Sequence, residues 1–140
     1  MVPASLKIPT PFEYAFPNGA LALGVEPTRD FDKRGQADEQ ARDKDSGERL
    51  WTVTLMDLDP LAQRFGRDRV NVKIAAPVQP VLPDSAIPGY PPAVQLVGLV
   101  LVPWVDDRKC KGGGDCRARL AYSMRAEGVI APASAVKAAA

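Results

Sequence analysis

Leu50-Trp51-Thr52-Val53-Thr54-Leu55-Met56 alternates apolar and polar side chains with a period of two. Trp51, Val53 and Leu55 fall on one side of an extended chain, with Thr52 and Thr54 on the other. β-Branched and aromatic residues suit a pleated, half-buried surface, so this stretch predicts a strand. Arg69-Val70-Asn71-Val72-Lys73-Ile74-Ala75 repeats the pattern, with Val70, Val72 and Ile74 inward and Asn71 and Lys73 outward. Asp57-Leu58-Asp59-Pro60 closes the first strand, and Leu61 to Arg67 has room for one short helical turn. Two such strands in succession set an all-β expectation.

The flanking sequence agrees. Upstream, Ala20-Leu21-Ala22-Leu23-Gly24-Val25-Glu26 predicts a strand with Leu21, Leu23 and Val25 on one side. Asn18-Gly19 before it is a turn signal, and residues 1–19, with Pro3, Pro9, Pro11 and Pro17, read as an extended arm. Arg29 to Arg49 is densely charged with alternating signs, the pattern of a solvated loop or exposed hairpin, and Asp45-Ser46-Gly47 marks a turn within it. Downstream, Pro77 to Pro92 holds six prolines and predicts a surface crossover rather than a central strand. Ala93 to Val102 is the most apolar run and predicts a strand buried on both faces. Arg117 to Ala126 alternates again, with Leu120, Tyr122 and Met124 on one side and Arg117, Arg119, Ser123 and Arg125 on the other. The small-residue stretch 131–140 reads as a frayed, flexible tail.

These segments predict an all-β domain over residues 20–130, with an arm at 1–19 and a tail at 131–140. A small five- to six-stranded barrel, OB-like and with a proline-rich crossover, is the economical architecture, because closure removes exposed edges. A small sandwich competes with it. The expected core is Val53, Leu55, Val72, Ile74, Leu99, Leu101, Leu120, Tyr122 and Met124.

Composition narrows the chemistry. Proline makes up 14 of 140 residues, which argues against a helix bundle, because proline lacks the N–H and clashes with the preceding turn. Histidine is absent, which removes the commonest general base and metal ligand and makes a Ser-His-Asp or Cys-His nucleophile impossible. Two cysteines, Cys110 and Cys116, flank a triglycine loop; they cannot complete a zinc site alone and are expected as free thiols. The triglycine lacks the Gly-Lys-Ser/Thr of a phosphate-gripping loop. Acidic pairs such as Asp57 with Asp59 read as turns. The chain is therefore expected to be no enzyme and to need no cofactor or metal. No run approaches the ~18 apolar residues of a membrane span, and the N-terminus lacks a signal-peptide layout. No membrane partner and a cytoplasmic location are the expectations.

One surface invites a ligand. Arg117, Arg119 and Arg125 share a strand face with small Ser123, Lys73 projects from another strand, and Arg42, Lys44 and Arg49 surround the turn before Trp51. OB barrels hold single strands with cations that track phosphates and rings that stack on bases. Trp104, at a strand exit, is the ring expected to be available; Trp51 and Tyr122 keep apolar company and are expected in the core. With 18 Lys+Arg against 17 Asp+Glu, any basic footprint must be local.

Several stretches together resemble one family: Gly24-Val25-Glu26-Pro27, Arg42-Asp43-Lys44-Asp45-Ser46-Gly47, Leu50-Trp51-Thr52-Val53, Val72-Lys73-Ile74-Ala75-Ala76-Pro77-Val78-Gln79-Pro80-Val81 and Leu120-Ala121-Tyr122-Ser123-Met124-Arg125-Ala126-Glu127-Gly128. They are similar, over residues 6–132 and in the same order, to the actinobacterial plasmid replication, integration and excision activators of integrative mobile elements. The resemblance implies control of when an element replicates, excises and integrates, and implies no catalytic residue. The Cys110–Cys116 loop is longer than the family's short hairpin. Two function classes follow: an accessory protein binding DNA, with exposed single strands as one candidate, or an adaptor that regulates the element's replication initiator or recombinase without touching DNA.

Overall fold

The computed structural model describes residues 2, 6–107 and 118–132. Arg117, Cys110 and Cys116, and with them the free-thiol expectation, lie outside the described residues, as does the tail from 133 onward. Eight strands are described: β1 Ile8–Pro9, β2 Ala20–Pro27, β3 Leu50–Asp57, β4 Arg69–Ala75, β5 Ala93–Val97, β6 Val100–Asp106, β7 Arg119–Ala126 and β8 Gly128–Ile130. Two short α-helices accompany them, α1 Phe12–Ala15 and α2 Pro60–Arg64, with a 3-10 turn at Phe31–Lys33. At α2, Asp59 accepts a hydrogen bond from the Leu61 amide and Pro60 opens the first turn, which fixes the start of the helix.

All the strands belong to one curled sheet in the order β1-β6-β7-β4-β3-β2-β5-β8. Neighbours run antiparallel except β4 and β7, which are parallel. Only Glu127 separates β7 from β8, yet the two strands stand at different places in the order, so the sheet must bend round. The all-β expectation holds. The strand number does not: eight strands in an open order replace the expected five or six of a barrel. The increase has local causes. The arm adds β1, and the apolar run 93–102 divides at Gly98 rather than forming one strand. A further strand, β8, follows the last expected one after Glu127.

Gly98 sits at a φ of +64°, a left-handed conformation that side chains resist. A Cβ there would also meet the Glu127 side chain at 2.7 Å. Gly98→Ala should therefore cost about 1–2 kcal/mol from the backbone alone. Adding Glu127→Ala should recover the steric part only; a neutral Gly98→Ala in thermal denaturation would contradict the bend.

The concave face holds the core. Val53, Leu55, Val72, Ile74, Val94, Leu96 and Leu99 are buried there with Ala20, Ala22 and Phe16. Trp51 closes one end, its indole Nε1 donating to the Ala76 carbonyl at 3.0 Å. In β2 the expected alternation slips. A bulge between Ala22 and Gly24 makes Ala20 and Ala22 face inward and leaves Leu21 and Leu23 half-buried, while Val25 packs on the core again. The arm is also more than extended chain: Ile8 and Pro9 pair with β6, and α1 stacks Phe12 on Phe16 at 5.1 Å between ring centroids.

The expected burial of Leu120 and Tyr122 is overturned; they are 60% and 49% exposed. The reason is geometric. β4 reaches β7 only at Met124 to Ala126, so residues 119–123 have β6 as their one ladder partner. The first half of β7 and the second half of β6 thus project as a two-stranded ribbon beyond the core. Leu101 and Met124 at its base are half-buried. Expected burial of the 93–102 run on both faces also fails, since Val97 is exposed and Val100 to Val102 are half-buried.

Candidate functional site

Because Val72 and Ile74 point into the core, Lys73 must point out from the convex face. The parallel ladder sets Arg125 beside it, and the neighbouring ladders place Thr52 and Val100 on either side. Thr52, Lys73, Arg125 and Val100 thus form one row across four strands. Two cations as lateral neighbours in a sheet repel one another, an arrangement that favours an anion above them.

The 28–49 segment folds over this row. The Leu50 amide donates to the Ala41 carbonyl at 2.9 Å, and Thr28 shares a hydroxyl contact with Thr52 at 2.7 Å. A turn at 43–47 closes a small hairpin, with the Asp43 amide donating to the Glu48 carbonyl at 2.8 Å. Arg42 lies opposite Arg49 across it. The alternating charges expected to mark an exposed hairpin do mark one, and it borders a groove.

This groove is open, has a volume of about 890 Å³, and brings together Lys7, Arg29, Arg42, Lys44, Lys73 and Arg125. Asp30, Asp32, Asp43 and Asp45 line the same space, with Val102 and Ser123 on its floor. It continues past Arg125 towards Gly98 and Glu127. Arg125 Nη1 lies 3.3 Å from Asp43 Oδ1, and Lys7 Nζ lies 3.2 Å from Asp45 Oδ2. Arg42 reaches Asp38 at 3.4 Å and the Gly47 carbonyl at 3.2 Å. Lys73 and Lys44 make no ion pair among the described residues.

Hydrogen bonds from the Ser46 hydroxyl and amide, together with Arg125, hold the Asp43 carboxyl below its usual range. The Gln40 amide, with Arg49 beside it, does the same for Asp38. Both carboxylates are thus firmly ionised near neutrality.

Lys73, Arg125, Arg42 and Lys44, expected as ligand-binding residues, therefore converge. Arg49 does not join them; its guanidinium turns to Asp38 at 3.2 Å and to Gln40 at 2.9 Å. Arg119 shares the outward face but sits at the far end of the ribbon, opposite Asp106 and 3.7 Å from its carboxylate. Trp104 is 41% exposed on that same face, paired across the ladder with Ala121. No family model, curated protein or solved structure matches this chain.

Pattern reading missed Lys7, Arg29 and the facing aspartates. Lys7 stands alone among prolines, and its groove position follows from β1 pairing with β6 some ninety residues away. The aspartates carried a signal, the Asp43 to Gly47 turn, but nothing local says what a turn faces. Chemically, an open groove with cations along its floor and rim suits an extended polyanion better than an enclosed small molecule. Among the described residues no three acidic groups converge as metal ligands would. No helix there is long and apolar enough to cross a membrane.

Proposed function

We propose that this chain is a non-catalytic accessory protein that binds single-stranded DNA along the convex groove. The observation that carries the reading is the side-by-side placement of Lys73 and Arg125 on the β4–β7 ladder, beneath a rim bearing Arg42 and Lys44. Single strands are favoured over duplex because the groove is narrow enough to be bridged by ion pairs from the 43–47 turn to Arg125 and Lys7. The resemblance to the actinobacterial activators supplies the setting: a cytoplasmic protein acting where an integrative element's strands are exposed during replication, excision or integration.

A finer fold reading supports the same ligand. Taking β5 with β6 as one bent strand, and β7 with β8 as another, the ladders run β2-β3-β4-(β7–β8)-(β5–β6) and return to β2. On this reading the curled open sheet is compatible with the strand order of a partly open OB-type barrel with one parallel contact. OB domains bind oligonucleotides between the loop joining their first two strands and the hairpin joining their last two. In this chain those elements are the 28–49 segment and the β6–β7 ribbon, and the groove lies between them.

A second reading has its own observation. Val105, Leu120 and Tyr122 leave the outer ribbon apolar and exposed, at 64%, 60% and 49%, which suits an adaptor that docks on an initiator or recombinase. Titrating a labelled single-stranded oligonucleotide at several salt concentrations separates the two. The DNA reading expects a log–log salt slope of about −2 or steeper, corresponding to three or more phosphate contacts. Absence of binding at low salt would reject it in favour of the adaptor.

A further inference from the structure

The groove already contains anions, and they belong to the protein. Asp43 and Asp45 alternate with Lys44 on the 43–47 turn, and each reaches a cation on the groove's other wall: Asp43 to Arg125 at 3.3 Å, Asp45 to Lys7 at 3.2 Å. Neither contact is local; the partners are 82 and 38 residues apart in sequence. The Asp43 carboxylate is divided between two tasks. Its Oδ2 accepts from the Ser46 hydroxyl at 2.9 Å and amide at 3.3 Å, which shapes the turn, while Oδ1 is left to face Arg125.

Resting on the reading of this groove as a nucleic-acid site, we infer that Asp43 and Asp45 occupy two of its phosphate positions, so that the 43–47 turn is an internal competitor displaced by the strand. Arg125 with its neighbour Lys73 forms one position; Lys7 forms the other. A carboxylate oxygen and a phosphate oxygen make the same kind of charge-assisted hydrogen bond to a guanidinium or ammonium group. The Asp45 arm of the clamp is weak enough to open first, while the Arg125–Asp43 arm is more enclosed, with side chains 36% and 15% exposed. Asp45 and Lys7 have side chains 78% and 51% exposed, and exposed pairs contribute little. A strand that presents several phosphates at once can exchange both contacts, whereas a single small anion gains too little to do so. The closed population lowers the apparent affinity by the fraction of molecules whose positions are occupied. The consequence is selectivity for extended polyanions over isolated phosphate.

The test compares the intact chain with Asp43→Asn/Asp45→Asn in binding a labelled oligothymidylate. Asparagine keeps an amide oxygen for the Ser46 bonds, so the turn survives. A charge-matched control, Glu13→Gln/Asp84→Asn, removes two exposed carboxylates that do not line the groove. The clamp variant should bind roughly five- to twentyfold more tightly than the parent, from the loss of one exposed and one part-buried competing pair. The control should change affinity less than twofold. If the clamp variant folds poorly, Asp45→Asn alone carries the test, with a gain of about two- to fivefold expected. Equal or weaker binding by the clamp variant, or a gain matched by the control, overturns the inference while leaving the DNA reading intact. No binding by the parent or by any variant at low salt overturns both.

Discussion

Phe16→Ala should destabilise the fold by about 3–5 kcal/mol, as removal of a fully buried aromatic ring does. Domains of this size are commonly stable by only ~5–15 kcal/mol, so the loss would be large. Phe16 lies in a proline-rich arm, yet it is 2% exposed and belongs to the same cluster as Val53, Leu55 and Val72. Tyr14, two residues earlier and 81% exposed, supplies the contrast: Tyr14→Ala should stay within about 0.5 kcal/mol. Chemical denaturation of the two variants decides the matter. Equal effects would mean that the arm does not complete the core.

The second large effect concerns the ligand. Lys73→Ala/Arg125→Ala should weaken binding of a single strand roughly 10- to 100-fold, an effect of ~1.4–2.8 kcal/mol. The salt slope should fall by about 1.4, because each phosphate contact on a single strand contributes about 0.7. Folding should change little: Lys73 is exposed, and the Arg125–Asp43 pair is only part-buried, with side chains 36% and 15% exposed. Arg119→Ala should do much less, since Arg119 faces Asp106 at the ribbon's end and does not line the groove. An unchanged slope in the double variant would show that these two cations do not meet phosphate.

What could be read from the chain itself divides along a physical line. Alternation reports which side of a strand a residue takes, so Val53, Leu55, Val72 and Ile74 were legible as one face. Alternation is silent on whether a second layer covers that face. Leu120 and Tyr122 have the same pattern and are exposed because β4 pairs with β7 only at Met124 to Ala126 and leaves the preceding residues without a neighbour on that side. Phe16 had no pattern around it at all; its burial depends on α1 packing against β5 and the core cluster. The cations show the same division. Arg125 and Lys73 were separately visible as outward residues, but their adjacency depends on a parallel pairing of segments about fifty residues apart. The aspartates opposite them were legible only as a turn, since a hairpin's own sequence encodes its bend and not the surface it meets.

That parallel pairing also governs how the protein must come into being. During synthesis β2, β3 and β4 emerge first and can form their meander, but β4 then waits for Met124 to Ala126 to supply its other neighbour. β5 likewise stays unpaired on one side until Gly128 to Ile130 arrive. A nascent chain therefore carries two hydrogen-bonding edges on apolar strands until almost its last described residues leave the ribosome. Non-local pairings of this kind slow folding and lengthen exposure to aggregation. The prolines of the 77–92 crossover lie in that waiting interval, where they interrupt the apolar chain and cannot themselves extend a ladder.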